Sequence, residues 1–169
     1  HLDFSVECYE DQIRHEEYFL HEAPHGAKRS WSRPKMVALL AKEGVYYIRN
    51  DQCEAGQQVV QKGIVLGLAQ KTTGWVTNSW EVARALNSFQ RRNRTTTEKG
   101  EWHDHVVLTG GKAKQCEEYP VQLVNAVLRG IQRQCEVDGD MHLDDLEVGY
   151  HMDEEAIDWS DNSEEAIQY

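Results

Sequence analysis

The sequence has no long apolar run and no sorting signal in its first residues. No window approaches the ~20 consecutive apolar residues that a membrane-spanning helix requires. The opening segment, HLDFSVECYEDQ, lacks the basic and then apolar order of a signal peptide. We therefore expect no membrane contact and a soluble, intracellular protein, located in the cytoplasm or the nucleus.

Motifs of several enzyme classes are also absent. Without a G-x-G-x-x-G or a Walker loop, the sequence lacks the usual phosphate cradles of dinucleotide and nucleoside triphosphate sites. It has no G-x-S-x-G and no H-E-x-x-H, so serine hydrolase and zinc protease activities have no support. No Cys-x-x-Cys pair occurs, and free thiols are expected at all four cysteines. These are Cys8, Cys53, Cys116 and Cys135.

Lysine and arginine are missing from the last part of the chain. Residues 136–169 hold 13 of the 29 Asp and Glu, whereas residues 1–135 hold 16 acidic and 18 basic side chains. The net charge of −11 therefore belongs to the C-terminal extension, and the rest of the chain is compatible with a nucleic-acid partner. We predict an α/β domain over residues 1–135 and an acidic tail over residues 136–169, either disordered or docked on a basic protein surface.

The first third of the chain has the pattern of a βαβ unit. Apolar residues at helical spacing predict a helix over residues 2–14, and an apolar, aromatic run predicts a buried strand over 17–22. Ser32 with Pro34 is a helix-start signal, and this helix is expected to end near Gly44. Residues 45–48 form the second predicted strand. The unit predicts a parallel sheet with a right-handed crossover.

The remaining elements are less regular. We predict a strand or hairpin arm over residues 64–68, a helix over 79–91 capped by Asn78 with Glu81, and a strand over 105–108. An exposed basic loop separates the last two. A final helix begins at Pro120, and its apolar residues are expected to face inward. These are Val121, Val124, Val127, Leu128 and Ile131.

Three residues have the chemistry of zinc ligands. His103 and His105 would lie on the same side of a strand, and Cys116 follows eleven residues later. A structural zinc site needs four ligands and only three candidates are present. The alternative is a polar strand edge without metal.

Two further groups are candidate functional residues. Glu22 closes the first predicted strand and could exchange a proton with a substrate ring, or it could cap a neighbouring loop or helix. Arg91, Arg92 and Arg94 could contact the phosphates of a nucleic acid, or they could be solvated loop residues. Lys28, Arg29 and Arg33 form the other basic concentration.

Several short strings in a fixed order resemble a segment of Copia-type retrotransposon polyproteins of fungi, dinoflagellates and other protists. That segment is itself similar to a degenerate cytosine DNA methyltransferase domain, and the resemblance covers about residues 1–134. The strings are HLDF, YFLHEAP, SWS, DQC with Gly56, KTTGWVTNS, HDH with GGKA, and YP followed by Leu123 and AV.

The resemblance implies a partial Rossmann-like, mostly parallel sheet flanked by helices. It places Glu22 where the methyltransferase glutamate contacts the target cytosine, although Ala23 and Pro24 replace the asparagine and valine of that motif. The loops for S-adenosylmethionine and for the Pro-Cys nucleophile would lie upstream of His1. S-adenosylmethionine is therefore expected only if another segment supplies that half, and no other cofactor is expected.

These expectations define three hypotheses. The first is a non-catalytic, methyltransferase-like module of a retroelement-type polyprotein with a binding or assembly role. The second is a nucleic-acid-binding protein that uses the loop at Arg91, Arg92 and Arg94 and is autoinhibited by its acidic tail. The third is a structural subunit of a larger assembly, with the tail wrapped around a neighbour.

Overall fold

The computed structural model describes residues 1–90, 105–109 and 112–139, which form helices packed on antiparallel strands. No helix in these three ranges is long and apolar enough to cross a membrane. Short 3-10 helices cover Gln52–Ala55 and Lys112–Glu117. The other elements in chain order are α1 (Leu2–Arg14), β1 (Leu20–Pro24), α2 (Lys28–Trp31), α3 (Pro34–Leu40), β2 (Tyr46–Asp51), β3 (Gln58–Gln61), β4 (Ile64–Leu68), β5 (Thr72–Thr77), α4 (Trp80–Asn87) and α5 (Val121–Asp138).

The main sheet has three strands in the order β1-β5-β2. Strand β5 is antiparallel to both neighbours, with Trp75 opposite Glu22 on one side and opposite Ile48 on the other. Strands β1 and β2 therefore point in the same direction, as a βαβ unit requires, but β5 separates them in a split arrangement. The predicted mixture of helices and strands is confirmed, whereas the predicted mostly parallel, Rossmann-like sheet is wrong.

The error has a physical origin in the segment 71–78, for which no strand was predicted. Its β-branched residues Thr72, Thr73, Val76 and Thr77 favour an extended backbone. Once this segment is a strand, it pairs with both β1 and β2 and removes their direct contact.

The first residues of two helices can be compared with the helix-start signals predicted from the sequence. In α3, Pro34 lies in the first turn, as predicted. The cap of α4 is Ser79, whose hydroxyl accepts from the Val82 N–H at 3.2 Å, so the predicted Asn78 cap is wrong. The Asn78 amide instead accepts from the Phe19 N–H and donates to the Glu17 carbonyl, both at 2.9 Å. Asn78 thus ties the chain before β1 to the end of β5.

A separate hairpin joins β3 and β4 and confirms the predicted hairpin arm over residues 64–68. Its turn uses Lys62 and Gly63, both with positive φ, which is the geometry that suits a two-residue hairpin. The predicted strand over residues 105–108 is wrong. His105 forms only an isolated parallel bridge with Leu68, and the Val106 N–H donates to the Leu68 carbonyl at 2.9 Å.

The main sheet separates two hydrophobic clusters. One lies under α4 and α5 and includes Ile48, Trp75 and Leu86. The other lies under α1 and α3 and includes Met36 and Val76. Alternate residues of β5 supply both clusters because successive side chains of a strand point to opposite faces.

The inward face predicted for α5 is wrong at most positions. Leu123, Ala126, Gly130 and Gln134 are buried, whereas four of the five predicted residues are exposed. At Gly130 the absence of a side chain lets α5 approach the α4 backbone closely. The exposed residues and their exposed fractions are Val121 (73%), Val124 (41%), Leu128 (57%) and Ile131 (46%).

Replacing Gly130 with alanine should separate α4 from α5. The added Cβ would lie 2.8 Å from Val82 Cα and 3.0 Å from the Glu81 carbonyl oxygen, and both are backbone atoms. We expect the free energy of unfolding in urea to fall by about 2 kcal/mol. The control Gln122→Ala, at an exposed position of α5, should change it by less than ~0.5 kcal/mol. Equal stability of the two variants would contradict the close helix contact.

Candidate functional site

An open groove of about 580 Å³ lies on the face of the main sheet that carries α1 and α3. Its volume falls in the range of small-ligand sites, roughly 300–1,000 Å³. We call it the aromatic–basic groove. It is lined by His25, Lys28, Trp31, Ser32, Leu40 and Tyr47.

Two aromatic rings form the wall of the groove and hydrogen bonds fix both. The Trp31 indole N–H donates to the Pro24 carbonyl at 2.9 Å, and the Tyr47 hydroxyl lies 2.8 Å from His25 Nδ1. The rings of Trp31 and Tyr47 meet edge to face with centroids 5.2 Å apart. The wall is therefore rigid before any ligand arrives.

Gly74 explains how both rings reach this position. A Cβ at Gly74 would lie 2.6 Å from the Tyr47 hydroxyl oxygen and 2.7 Å from Trp31 Cζ2. A glycine inside a strand often marks such a close approach, here by side chains packed over the centre of β5. No sequence pattern pointed to the pairing of Trp31 with Tyr47.

Two cations lie beside the aromatic wall. Lys28 of α2 lines the groove, and Arg49 lies two residues after Tyr47 on β2, hence on the same face. Arg29 is the exposed cation that follows Lys28 in α2. Burial raises the pKa of the Tyr47 hydroxyl, and the nearby positive charge of Arg49 opposes this rise. Within the described ranges, none of the three cations forms an ion pair. They leave the groove with a local positive charge.

The neighbouring basic residues behave differently. Arg33 and Lys35 at the start of α3 pair with Asp3 and Glu7 of α1. Lys42 pairs with Glu10 of the same helix at 3.1 Å. The carboxylates of α1 therefore form ion pairs with Arg33, Lys35 and Lys42. The cations beside the groove have no such carboxylate partner among the described residues.

His21 lies behind the groove wall. Its Nδ1 is 3.0 Å from the Tyr9 hydroxyl, its ring meets Trp31 edge to face, and its Nε2 is buried without a hydrogen-bond partner. Burial lowers the pKa of His21, and the nearby Glu22 carboxylate opposes this effect. A neutral imidazole is thus the form that the folded protein favours.

Glu22 lies on the opposite face of β1, under the start of α5. Tyr119 lies close enough for the Glu22 charge to act on it, and the Tyr119 ring centroid is 5.5 Å from that of Trp75. Burial raises the pKa of Tyr119 far above its usual value, and the Glu22 charge adds to the rise. The hydroxyl therefore stays protonated. Both roles expected for Glu22, proton exchange with a substrate and capping of a neighbouring segment, stay predictions.

A polar cluster lies beside this pair. The Lys71 ammonium donates to the Cys116 carbonyl at 2.8 Å and lies 5.7 Å from the Tyr119 ring centroid. The buried Trp75 indole donates to Asn50 Oδ1 at 3.1 Å.

Four of the strings that carry the resemblance meet at this polar cluster. They are the strings that contain Glu22, Gln52, Lys71 and Tyr119. Four buried side-chain atoms nearby have no hydrogen-bond partner: Asn50 Nδ2, Gln52 Nε2, Gln52 Oε1 and Thr73 Oγ1.

The predicted zinc ligands are only partly within the described residues. His103 lies outside them, and no group of three or more potential ligands occurs within them. Cys116 is fully buried against Val59 and Ala69, and burial raises the pKa of its thiol. A zinc ligand must be a thiolate, which this environment disfavours. A zinc site remains a prediction.

Arg91, Arg92 and Arg94 also lie outside the described residues. The chain reaches them from the end of the sheet where β1 and β2 stop, since the Asp51 N–H donates to the Phe89 carbonyl at 3.3 Å. The His25 N–H donates to the Thr72 carbonyl at the same end. Phe89, two residues before Arg91, therefore lies at the end of the sheet that also carries His25.

The pH dependence of stability tests the environment of His21. Its pKa in the folded protein lies below the unfolded value of about 6.5, so the unfolded state binds the proton more tightly. The contribution of neutral His21 to the free energy of unfolding should be fully present above about pH 6.5. It should decrease as the pH falls below that value. Urea unfolding from pH 5 to 8 should show a smaller acid loss for His21→Gln than for the unmodified chain. Identical pH profiles would contradict a neutral, buried His21.

Replacing Gly74 with alanine should disrupt the groove wall. The added methyl group displaces Tyr47 and Trp31, and we expect a loss of about 2 kcal/mol in the free energy of unfolding together with a changed near-ultraviolet circular dichroism spectrum. Gly26→Ala is the matched control because a Cβ there meets nothing within 4 Å. If G74A and G26A gave the same spectrum, the close ring contact would be wrong.

Comparisons with protein-family models, with curated proteins and with solved structures found no match to this chain. The resemblance to Copia-type polyproteins therefore rests on the sequence strings and stays a prediction. The parallel, methyltransferase-like sheet that it implied does not agree with the antiparallel strands of residues 1–90.

Proposed function

We propose that this chain is a non-catalytic binding module that holds single-stranded nucleic acid in the aromatic–basic groove. The observation that carries the proposal is the position of Lys28 and Arg49 beside the aromatic wall of Trp31 and Tyr47. Bases bind aromatic side chains by stacking, and unpaired cations bind the phosphates between them. The groove supplies both kinds of contact within one concave surface.

The shape of the groove favours a single strand over a duplex. The bases of a duplex are paired and stacked, so they cannot enter a concave site of this size without being unstacked. An unpaired base could lie against Trp31 and Tyr47 while its flanking phosphates reach the cations. Arg91, Arg92 and Arg94 follow in sequence from the same end of the sheet and would extend the phosphate contacts.

The non-catalytic part of the proposal is supported by the state of the reactive groups. Glu22 lies beside Tyr119, and the raised pKa of Tyr119 keeps its hydroxyl protonated. Burial likewise keeps the Cys116 thiol in its neutral, unreactive form. Glu22 lies on the sheet face opposite the groove, and Cys116 is buried in the cluster beside the β3–β4 hairpin.

Binding of fluorescent single-stranded DNA and RNA oligonucleotides, followed by anisotropy at several salt concentrations, tests the proposal. Replacing both Lys28 and Arg49 with glutamine should weaken binding about tenfold and reduce the slope of log K against log salt by about 1.4, because two phosphate contacts are lost. The matched control is Lys62→Gln, an exposed cation on the β3–β4 hairpin.

The control chain should bind with unchanged affinity and slope. A duplex of the same length should bind more weakly than the single strand. Equal losses in K62Q and in the groove variant would show non-specific charge attraction, and no binding by the unmodified chain would contradict the proposed function.

A further inference from the structure

One side of the aromatic–basic groove is built from a single helical turn. Lys28, Trp31 and Ser32 occupy positions i, i+3 and i+4, which share one face of a helix, and all three line the groove. Arg29 is the neighbouring cation in sequence but is not part of the lining that the described residues form. Lys28 is therefore the cation that a ligand inside the groove meets on this side.

The two rings of the wall restrict how a base can lie in the groove. The planes of Trp31 and Tyr47 make an angle of 83°, and hydrogen bonds to the Pro24 carbonyl and to His25 hold the rings in place. A base that stacks on one ring must therefore meet the other ring nearly at right angles. The wall thus limits the orientation of the base plane, so that the polar groups of the lining can read its edge.

The polar side chains of the lining favour acceptors on a ligand. The Lys28 ammonium has three N–H donors and no acceptor, and the Ser32 hydroxyl can donate or accept. The Tyr47 hydroxyl and His25 Nδ1 already face each other at 2.8 Å. Among the described residues, no Asp, Glu, Asn or Gln lines the groove. An amino group of a base would therefore find no carboxylate or side-chain amide to accept from it.

The backbone carbonyls beside the groove are occupied as well. The Pro24 carbonyl accepts from the Ala27 N–H and from the Trp31 indole, both at 2.9 Å. The Lys28 carbonyl accepts from the Ser32 N–H at 2.9 Å. The turn that carries Lys28 thus presents a strong donor to the groove and keeps these acceptors engaged within the fold.

We propose that the groove selects guanine and that Lys28 determines this preference. The inference rests on the proposed function, since it names the base that the single strand places against the wall. Guanine presents two adjacent acceptors, O6 and N7, and a lysine ammonium can donate to both. Adenine and cytosine carry an amino group at the corresponding edge, which the donors of Lys28 cannot satisfy, and thymine offers one acceptor beside a methyl group. The third N–H of Lys28 remains for a flanking phosphate, so its part in the salt dependence is kept.

Fluorescence anisotropy with the full chain measures the base preference. The probes are short oligothymidylates that carry one central guanine, adenine, cytosine or 7-deazaguanine. We expect the guanine strand to bind about tenfold more tightly than the adenine and cytosine strands. The 7-deazaguanine strand keeps O6 but lacks the N7 acceptor, so it should lose most of this advantage.

The variant Lys28→Gln tests the assignment to Lys28. A glutamine amide both donates and accepts, which suits N6 and N7 of adenine. The ratio of guanine to adenine affinity should therefore fall from about ten to about one or less, whereas a loss of phosphate attraction alone would weaken both strands equally. The matched control Arg29→Gln removes the same charge from the neighbouring position and should leave the ratio unchanged.

The outcomes separate this inference from the proposed function. Binding of all strands with equal affinity would overturn the guanine preference and leave single-strand binding in place. An unchanged ratio in K28Q, or an equal change of the ratio in R29Q, would overturn the role of Lys28. Absence of binding to every strand would contradict both the proposed function and the inference.

Discussion

The antiparallel pairing of β5 with both β1 and β2 is the constraint on which the described structure depends. Without β5, the other two strands of the sheet would have no hydrogen-bonded neighbour. Its alternating side chains also define the two faces: Trp75 belongs to the cluster under α4 and α5, and Val76 to the cluster under α1 and α3. One strand thus supplies the hydrogen bonds and a part of each core.

The two faces of the main sheet have different chemistry because successive side chains of β5 point to opposite faces and differ in size. Gly74 leaves room for Tyr47 and Trp31, so one face carries an open aromatic wall with cations around it. On the other face, the larger Trp75 supports Tyr119 and helps to place the start of α5 over Glu22. The aromatic–basic groove and the helix with exposed apolar residues therefore lie on opposite faces of one small sheet.

Local patterns predicted the helices better than the sheet. The spacing of apolar residues gave α1 with its observed bounds, and the hairpin arm at Ile64–Leu68 was predicted correctly. Strand β5 was missed because threonines and a central glycine weaken the apolar signal of a buried strand. The inward face of α5 was wrong because the helix packs on α4 through the side that carries Leu123, Ala126 and Gly130, with close backbone approach at Gly130. Pairing order and helix approach depend on residues far apart in sequence, which periodicity does not report.

The candidate site was also predicted only in part, because its residues are far apart in sequence. Glu22 was identified as the end of a predicted strand, whereas it lies in the middle of β1. The pKa that its charge raises belongs to Tyr119, almost a hundred residues away in sequence. The groove depends on contacts of Trp31 with Tyr47 and Gly74, which no motif joins. Nuclear Overhauser effects between backbone protons test the sheet most directly. Antiparallel contacts from Trp75 to both Glu22 and Ile48 are predicted, whereas direct contacts between β1 and β2 in a parallel sheet would contradict the account.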